Sequence, residues 1–200
     1  MPPRAEAWIR NFGFDEDRSI YRRACDARDE AVASVSSTAS TSSASTCAEP
    51  ELARIERQIA VDLPRIFISP QISSEARRES LGRVLRAWAH ANPAVSYVQG
   101  MHAIAGASLL PHCAEADPPN VRDEERAYCM LNAVVSQVIP DFFSPGMPGL
   151  LLELAVLEQL VAERRPSLTV RMAQLGVMMT LLPTTSWFLT LFQQEGALAQ

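Results

Sequence analysis

The chain contains no lysine; all 18 of its cationic side chains are arginine. Without an ε-amine there is no phosphate-loop lysine, no kinase-type ATP lysine and no Schiff-base nucleophile. Nucleotidases of the phosphate-loop class and active kinases are thereby set aside. Cysteine is scarce too: Cys25, Cys47, Cys113 and Cys129 stand far apart, with no CxxC pair. The opening MPPRAEAWIRN lacks the apolar stretch of a signal peptide, so the four read as free thiols in a reducing, cytoplasmic setting. Positive charge is in deficit, with a net charge of −5. A chain of that sign gains little by approaching nucleic acid or an anionic lipid surface.

Long apolar runs are also missing. Residues 150–161 and 177–191 are the most hydrophobic, and Glu153, Glu158 and Pro183 interrupt them. Neither reaches the roughly 20 residues of a membrane span. His90, His102 and His112, with Cys113 beside the last, lack paired metal-ligand spacing, so no metal site is expected. No segment alternates polar and apolar residues over strand length, which leaves a sheet without support.

What remains is helical periodicity. Residues 4–12 are weakly amphipathic, and residues 15–29 form a charged, helix-compatible stretch. In residues 34–46 ten of thirteen positions are Ser or Thr. A segment of that kind buries too little apolar surface to offset its ordering entropy, so a disordered insertion is expected over residues 34–49. Leu52, Ile55 and Ile59 then line one helix, which Pro64 must end near Leu63. Ser73 or Ser74 can cap a second helix, with Leu81, Val84, Leu85 and Trp88 on one face and a stop at Asn92-Pro93. A nearly all-apolar helix is expected over residues 99–110. Asp123 can cap the next, whose face is Ala127, Leu131, Val134, Val135 and Val138. A turn at PGMPG, residues 145–149, leads into helices over 150–163 and 167–182, and a last one over 186–194. Glu124, Glu125, Glu153 and Glu158 read as solvated helix faces. The expected fold is all-α, irregular rather than a simple bundle.

Two stretches carry chemistry. In IAVDLPRIF, residues 59–67, Asp62 falls in the last turn of its helix, where the macrodipole disfavours an anion by roughly 0.3–1 kcal/mol. An aspartate there can orient the following Arg65 or bond backbone amides of the loop, and Pro64 makes the exit rigid. In NPAVSYVQGM, residues 92–101, Gly100 permits close backbone approach beside Gln99. A carboxamide can accept a hydrogen bond from water and donate one to a phosphate oxygen without adding charge.

Ile59, Asp62 and Arg65 as I-x-x-D-x-x-R, followed by Tyr97, Gln99 and Gly100 as Y-x-Q-G, resemble the motif pair of TBC domains, which activate Rab-type small GTPases. LGRVLRAWAHANPAVSYVQGM between and around them, FFSPGMPGLLLELAVLEQLV at 142–161 and WFLTLF at 187–192 resemble the same family. RAEAW at 4–8 resembles its start more weakly. The resemblance implies a TBC-like domain over residues 1–200 that lacks the family's last helices, since the chain stops eight residues after WFLTLF.

It also implies an activator that works on a partner's active site. Arg65 is then the arginine finger and Gln99 the glutamine finger, both supplied in trans. Asp62 holds the arginine loop, Ile59 anchors its helix, and Tyr97 and Gly100 shape the turn presenting Gln99. The implied partner is a Rab-type GTPase in its GTP-bound form, which itself carries GTP and Mg2+, so the chain needs no cofactor. Peripheral recruitment to endomembranes would come through that partner. Three positions depart from the family pattern: His102 stands where Asn or Ser is usual, Ile66 where Thr is common, and Cys129 where an aromatic is frequent. The alternative reading is a TBC-like module that binds a small GTPase or another partner without catalysis.

Overall fold

The structure is a computed structural model that describes residues 19–38, 51–65, 74–109, 119–178 and 184–192. The expected helix at 4–12, residues 39–49 of the Ser/Thr-rich stretch, Ile66 and the continuations at 179–182 and 193–194 lie outside these residues. Among those described, every regular element is helical. The α-helices are α1 (Ser19–Thr38), α2 (Glu51–Asp62), α3 (Glu75–Ala91), α4 (Met101–Leu109), α5 (Val121–Ala133), α6 (Pro148–Arg164), α7 (Pro166–Leu175) and α8 (Thr184–Leu189). A 3-10 turn, Leu63–Arg65, follows α2, and a π-helical turn, Val134–Val138, extends α5. None of these helices is long and apolar enough to cross a membrane.

Helix α3 is the centre of the fold, because its apolar repeat is wide enough to meet neighbours on several sides. Leu81, Val84, Leu85 and Trp88 are buried, and so are Ser80, Gly82, Ala87 and Ala89. The helix packs on α1, α2, α4 and α5. A Cβ at Gly82 would meet the Arg86 and Leu63 side chains, and Trp88, 1% exposed, is among the largest fully buried side chains. Helix α4 is apolar except for His102 and Ser108 and correspondingly enclosed, with Met101 to Gly106 all buried. Ser74 caps α3, accepting from the Arg77 amide at 3.3 Å, as one of the two expected serines.

Several expectations are corrected. Helix α1 runs on to Thr38, so the first five residues of the expected disordered insertion, 34–38, are helical. Alanines 31 and 33 favour that continuation, and serine opposes it only weakly. The cap of α5 is Asn120, not Asp123: the Asn120 side chain accepts from the amides of Arg122 and Asp123, while Asp123 accepts from the Asn120 amide at 3.0 Å. This is a capping box with Asp123 three residues inside the helix. The π-helical turn adds a residue to the register, so Val138 is exposed and Ile139 is buried in its place. Helix α7 ends at Leu175 rather than Leu182. Gly176 at φ 64° closes it, with the Val177 amide donating to Met172 O and the Gly176 amide to Ala173 O. That pattern satisfies two orphan carbonyls with glycine in the left-handed conformation.

Glu124 and Glu125 are not solvated, whereas Glu153 and Glu158 are exposed as expected. Glu124 is buried between α1, α3 and α5, where it accepts from Tyr21 Oη at 2.6 Å, Ser80 Oγ at 2.5 Å and Arg83 Nη2 at 2.5 Å. Glu125, equally buried, accepts from Arg22 Nε at 2.9 Å. A buried carboxylate needs such a set of donors, because it leaves water at a cost of several kcal/mol. The cluster holds α1 onto the core.

Candidate functional site

The site is built where α2 and α3 end. Ile59 is fully buried and fastens the last turns of α2. Asp62 is the final residue of that helix, and Pro64 and Arg65 continue directly into the 3-10 turn. Although Asp62 sits at the dipole's negative end, it is only 5% exposed. Its compensation comes from Tyr97, whose hydroxyl donates to Asp62 Oδ2 at 2.9 Å. The sequence alone raised two roles for Asp62, orienting Arg65 or bonding a loop amide; the partner the structure shows is the Tyr97 hydroxyl. The side chain of Arg65 itself lies outside the described residues.

Tyr97 reaches Asp62 because of the way α3 stops. The Asn92 amide and its side-chain Nδ2 both donate to Trp88 O, at 3.0 and 2.9 Å. Pro93 prevents the helix from continuing. The amides of Val95 and Ser96 then donate back to Asn92 O, at 3.2 and 2.8 Å. Ser96 takes φ 60°, a left-handed conformation that a serine adopts with some strain. This tight reversal aims Tyr97 inward, so that it is buried against Asp62 across 35 residues of sequence. Burial first, and then the Asp62 carboxylate, raise the Tyr97 phenol above its ordinary range. The group is therefore a neutral donor at any physiological pH.

Two residues later the chain faces outward again. Gln99 is exposed, whereas Gly100 and Met101 beyond it are buried. Gly100 has φ 110°, open to glycine and strained for any other residue. A Cβ added there would lie 3.0 Å from Leu189 Cβ and 3.0 Å from Leu189 O. The last turn of α8 thus braces the glutamine turn from behind. Gly100→Ala combines a forbidden φ with a clash against backbone, and is expected to cost about 2 kcal/mol. A urea titration should show the midpoint falling at unchanged slope; a loss below about 0.5 kcal/mol would contradict the packing described.

The structure joins Asp62, Tyr97 and Gly100 in one buried region, with Gln99 at its surface and the Arg65 turn at its other end. Two contributors were not singled out as site residues in the sequence: Leu189, and His102, which drew notice as a departure from a family pattern and as a histidine without metal-ligand spacing. His102 Nδ1 lies 3.1 Å from Tyr97 Oη and 3.3 Å from the Gly100 amide. Its signal was a lone imidazole in an otherwise apolar helix, which must find polar partners if buried. The ring also lines a cavity of about 350 Å³ shared with Gln99, Met147, Thr185, Ser186 and Thr190.

The family model described as the Rab-GTPase-TBC domain matches residues 9–199. The chain is 35% identical over 143 residues to Growth hormone-regulated TBC protein 1 of Homo sapiens, covering 70% of this chain and 40% of the relative. It is 36% identical to Growth hormone-regulated TBC protein 1-A of Danio rerio, covering 70% and 37%. It therefore spans about 40% of the length of the curated relatives it matches. Among solved structures it resembles the Ypt/Rab-GAP domain of Gyp1p, with a TM-score of 0.66 and 21% identity over 93% of this chain and 57% of that one. The Chlamydomonas flagellar RabGAP TBC domain aligns with the same TM-score at 23% identity, covering 96% and 56%. At these identities the structures establish the shared all-helical fold.

Proposed function

The chain belongs to the Rab-GTPase-TBC domain family, and from that premise we propose that it accelerates GTP hydrolysis by a Rab-type GTPase, with Arg65 and Gln99 acting in trans. The observation that carries this reading is the buried hydrogen bond from Tyr97 to Asp62. It joins the end of the helix preceding Arg65 to the turn bearing Gln99, so the two residue types required sit on one braced unit. An exposed Gln99 on a turn fixed by Gly100 and Leu189 is consistent with a group meant to reach into another protein.

Phosphoryl transfer from GTP to water spreads charge over the transferring oxygens, so catalysis is mostly positioning and electrostatic stabilisation. A guanidinium supplies fixed, always-charged donors for those oxygens. A carboxamide accepts from the attacking water and donates to a phosphoryl oxygen, which orients the water in line. The partner brings GTP and Mg2+, so the chain binds no nucleotide alone and its lack of lysine is no obstacle. Action on membrane-bound Rab proteins would take place at the cytoplasmic side, with recruitment through the partner.

The test is single-turnover hydrolysis by a panel of purified, GTP-loaded Rab proteins, with wild type and Gln99→Ala. Wild type should accelerate at least one, and Gln99→Ala should lower that acceleration about 10²-fold or more, as for loss of one transition-state donor. Acceleration unaffected by Gln99→Ala would remove the glutamine from the mechanism. Binding of the GTP form with no acceleration would select the non-catalytic module instead.

A further inference from the structure

We propose that His102 is a positioning residue: its Nδ1, within reach of both Tyr97 Oη and the Gly100 amide, sets the turn that carries Gln99 against the turn that carries Arg65. The inference rests on the reading that Arg65 and Gln99 act together. The geometry behind it is compact. Asp62, Tyr97 and His102 are each about 5% exposed, and Gly100 is buried beside them. The contacts are 2.9 Å from Tyr97 Oη to Asp62 Oδ2, 3.1 Å from Tyr97 Oη to His102 Nδ1, and 3.3 Å from Gly100 N to the same Nδ1.

Proton counting shows why one nitrogen matters. Tyr97 has a single hydroxyl proton, and the Asp62 carboxylate, an acceptor only, takes it. Nδ1 then has two possible occupations. With a lone pair there, it accepts the Gly100 N–H and holds the glutamine turn. With a proton there, it donates to Tyr97 Oη, completing a chain from imidazole through phenol to carboxylate, and the Gly100 amide loses its acceptor. One ring cannot satisfy both sides through the same atom, so its tautomer and charge divide it between the arginine side and the glutamine side.

Among the described residues, the groups facing the ring leave few other influences. Asp62 comes from α2 and Tyr97 from the turn after α3. Met147, Thr185, Ser186, Leu189 and Thr190, which share its cavity, carry no charge. Burial lowers the proton affinity of His102 below its ordinary value, and the Asp62 carboxylate opposes this only in part. The neutral ring therefore predominates at neutral pH. Because the folded state resists the proton, stability is fully present above the unfolded value of about 6.5 and falls as the pH drops below it. His90 is lowered by burial in the same direction, so a melting curve alone does not isolate His102.

The experiment is a pH series on the isotopically labelled full chain, following the His102 ring nitrogens and the Gly100 amide by NMR, beside hydrolysis assays of His102→Leu and His102→Asn. The Gly100 amide should shift with the same midpoint as the His102 ring, because protonated Nδ1 no longer accepts from it. His102→Leu should lower kcat for the activated GTPase by about 10- to 100-fold, the scale of a small misplacement, with KM little changed. His102→Asn should restore most of that loss and abolish the amide's pH response, since an amide offers a donor and an acceptor without titrating. A Gly100 amide that ignores the His102 titration overturns the proposal, as does His102→Leu retaining wild-type kcat. Should no Rab protein be accelerated by the wild type, the function proposed above falls, and the Gly100 response still decides whether His102 holds that turn.

Discussion

Replacing Arg65 with alanine is expected to reduce stimulated GTP hydrolysis about 10³-fold or more, while the GTP-loaded partner still binds. The magnitude is that of an arginine finger supplied in trans, and 10³-fold corresponds to about 4 kcal/mol of transition-state stabilisation. Arg65→Lys should remain within about tenfold of the alanine variant, since a point charge does not reproduce the planar fork of a guanidinium. Both variants should fold normally, because Arg65 follows the buried Ile59 and Asp62 in the chain. A fall in kcat at constant affinity separates loss of a finger from loss of a docking contact.

The largest stability effect belongs to a residue with no part in that chemistry. Glu124→Ala is expected to destabilise the fold by about 3 kcal/mol. The substitution strands the Tyr21 and Ser80 hydroxyls in the interior, each worth about 1–3 kcal/mol when left unpaired. It also releases Arg83, which is raised above its ordinary range chiefly by its hydrogen bonds to Glu124. The Arg83 side chain is 44% exposed and can turn to water, so its share of the loss is small. At about 2–4 °C per kcal/mol for a chain of this size, the melting temperature should drop by roughly 6–12 °C. Glu124→Gln keeps the shape and most acceptors, and should lose well under half as much. A melting temperature unchanged by Glu124→Ala would mean that the α1–α3–α5 junction is held by apolar contact alone.

These two residues also illustrate what a sequence discloses. Helix α3 was legible because its apolar repeat, its serine cap and its Asn-Pro stop all act within a few residues. The same holds for the turn at Gly146 and Met147, both left-handed, with Pro148 opening α6. Glu124 and Glu125 defeated the local reading because Tyr21 and Arg22 lie 103 residues away in sequence. A carboxylate pair in a helix looks solvated until its distant donors are known. Gly176 was passed over for a related reason: a glycine inside a long apolar repeat is equally compatible with a tolerated interior residue and a helix stop, and only the closing hydrogen bonds distinguish them.

The site divides along the same line. Ile59, Asp62, Arg65, Tyr97, Gln99 and Gly100 were picked out by spacing and by likeness to a family, which is a property of residue order. The reason Asp62 tolerates the end of its helix was not contained in order. It lies in a phenol brought in by the reversal at residues 92–96, and in an imidazole one turn further on. Leu189 enters only because α8 returns against Gly100. Burial of that network, with Gln99 left at the surface, is what makes a paired action of two turns physically reasonable.

The most direct measurement is the affinity for a Rab-type GTPase carrying GDP and aluminium fluoride, a mimic of the transferring phosphoryl group, compared among wild type, Arg65→Ala and Gln99→Ala. Wild type should bind that state about 10²-fold or more tightly than the GDP state, and each substitution should erase most of the difference. If both variants bind the mimic as tightly as wild type does, the guanidinium and the carboxamide do not meet the reacting phosphate, and the proposed activation by paired side chains is wrong.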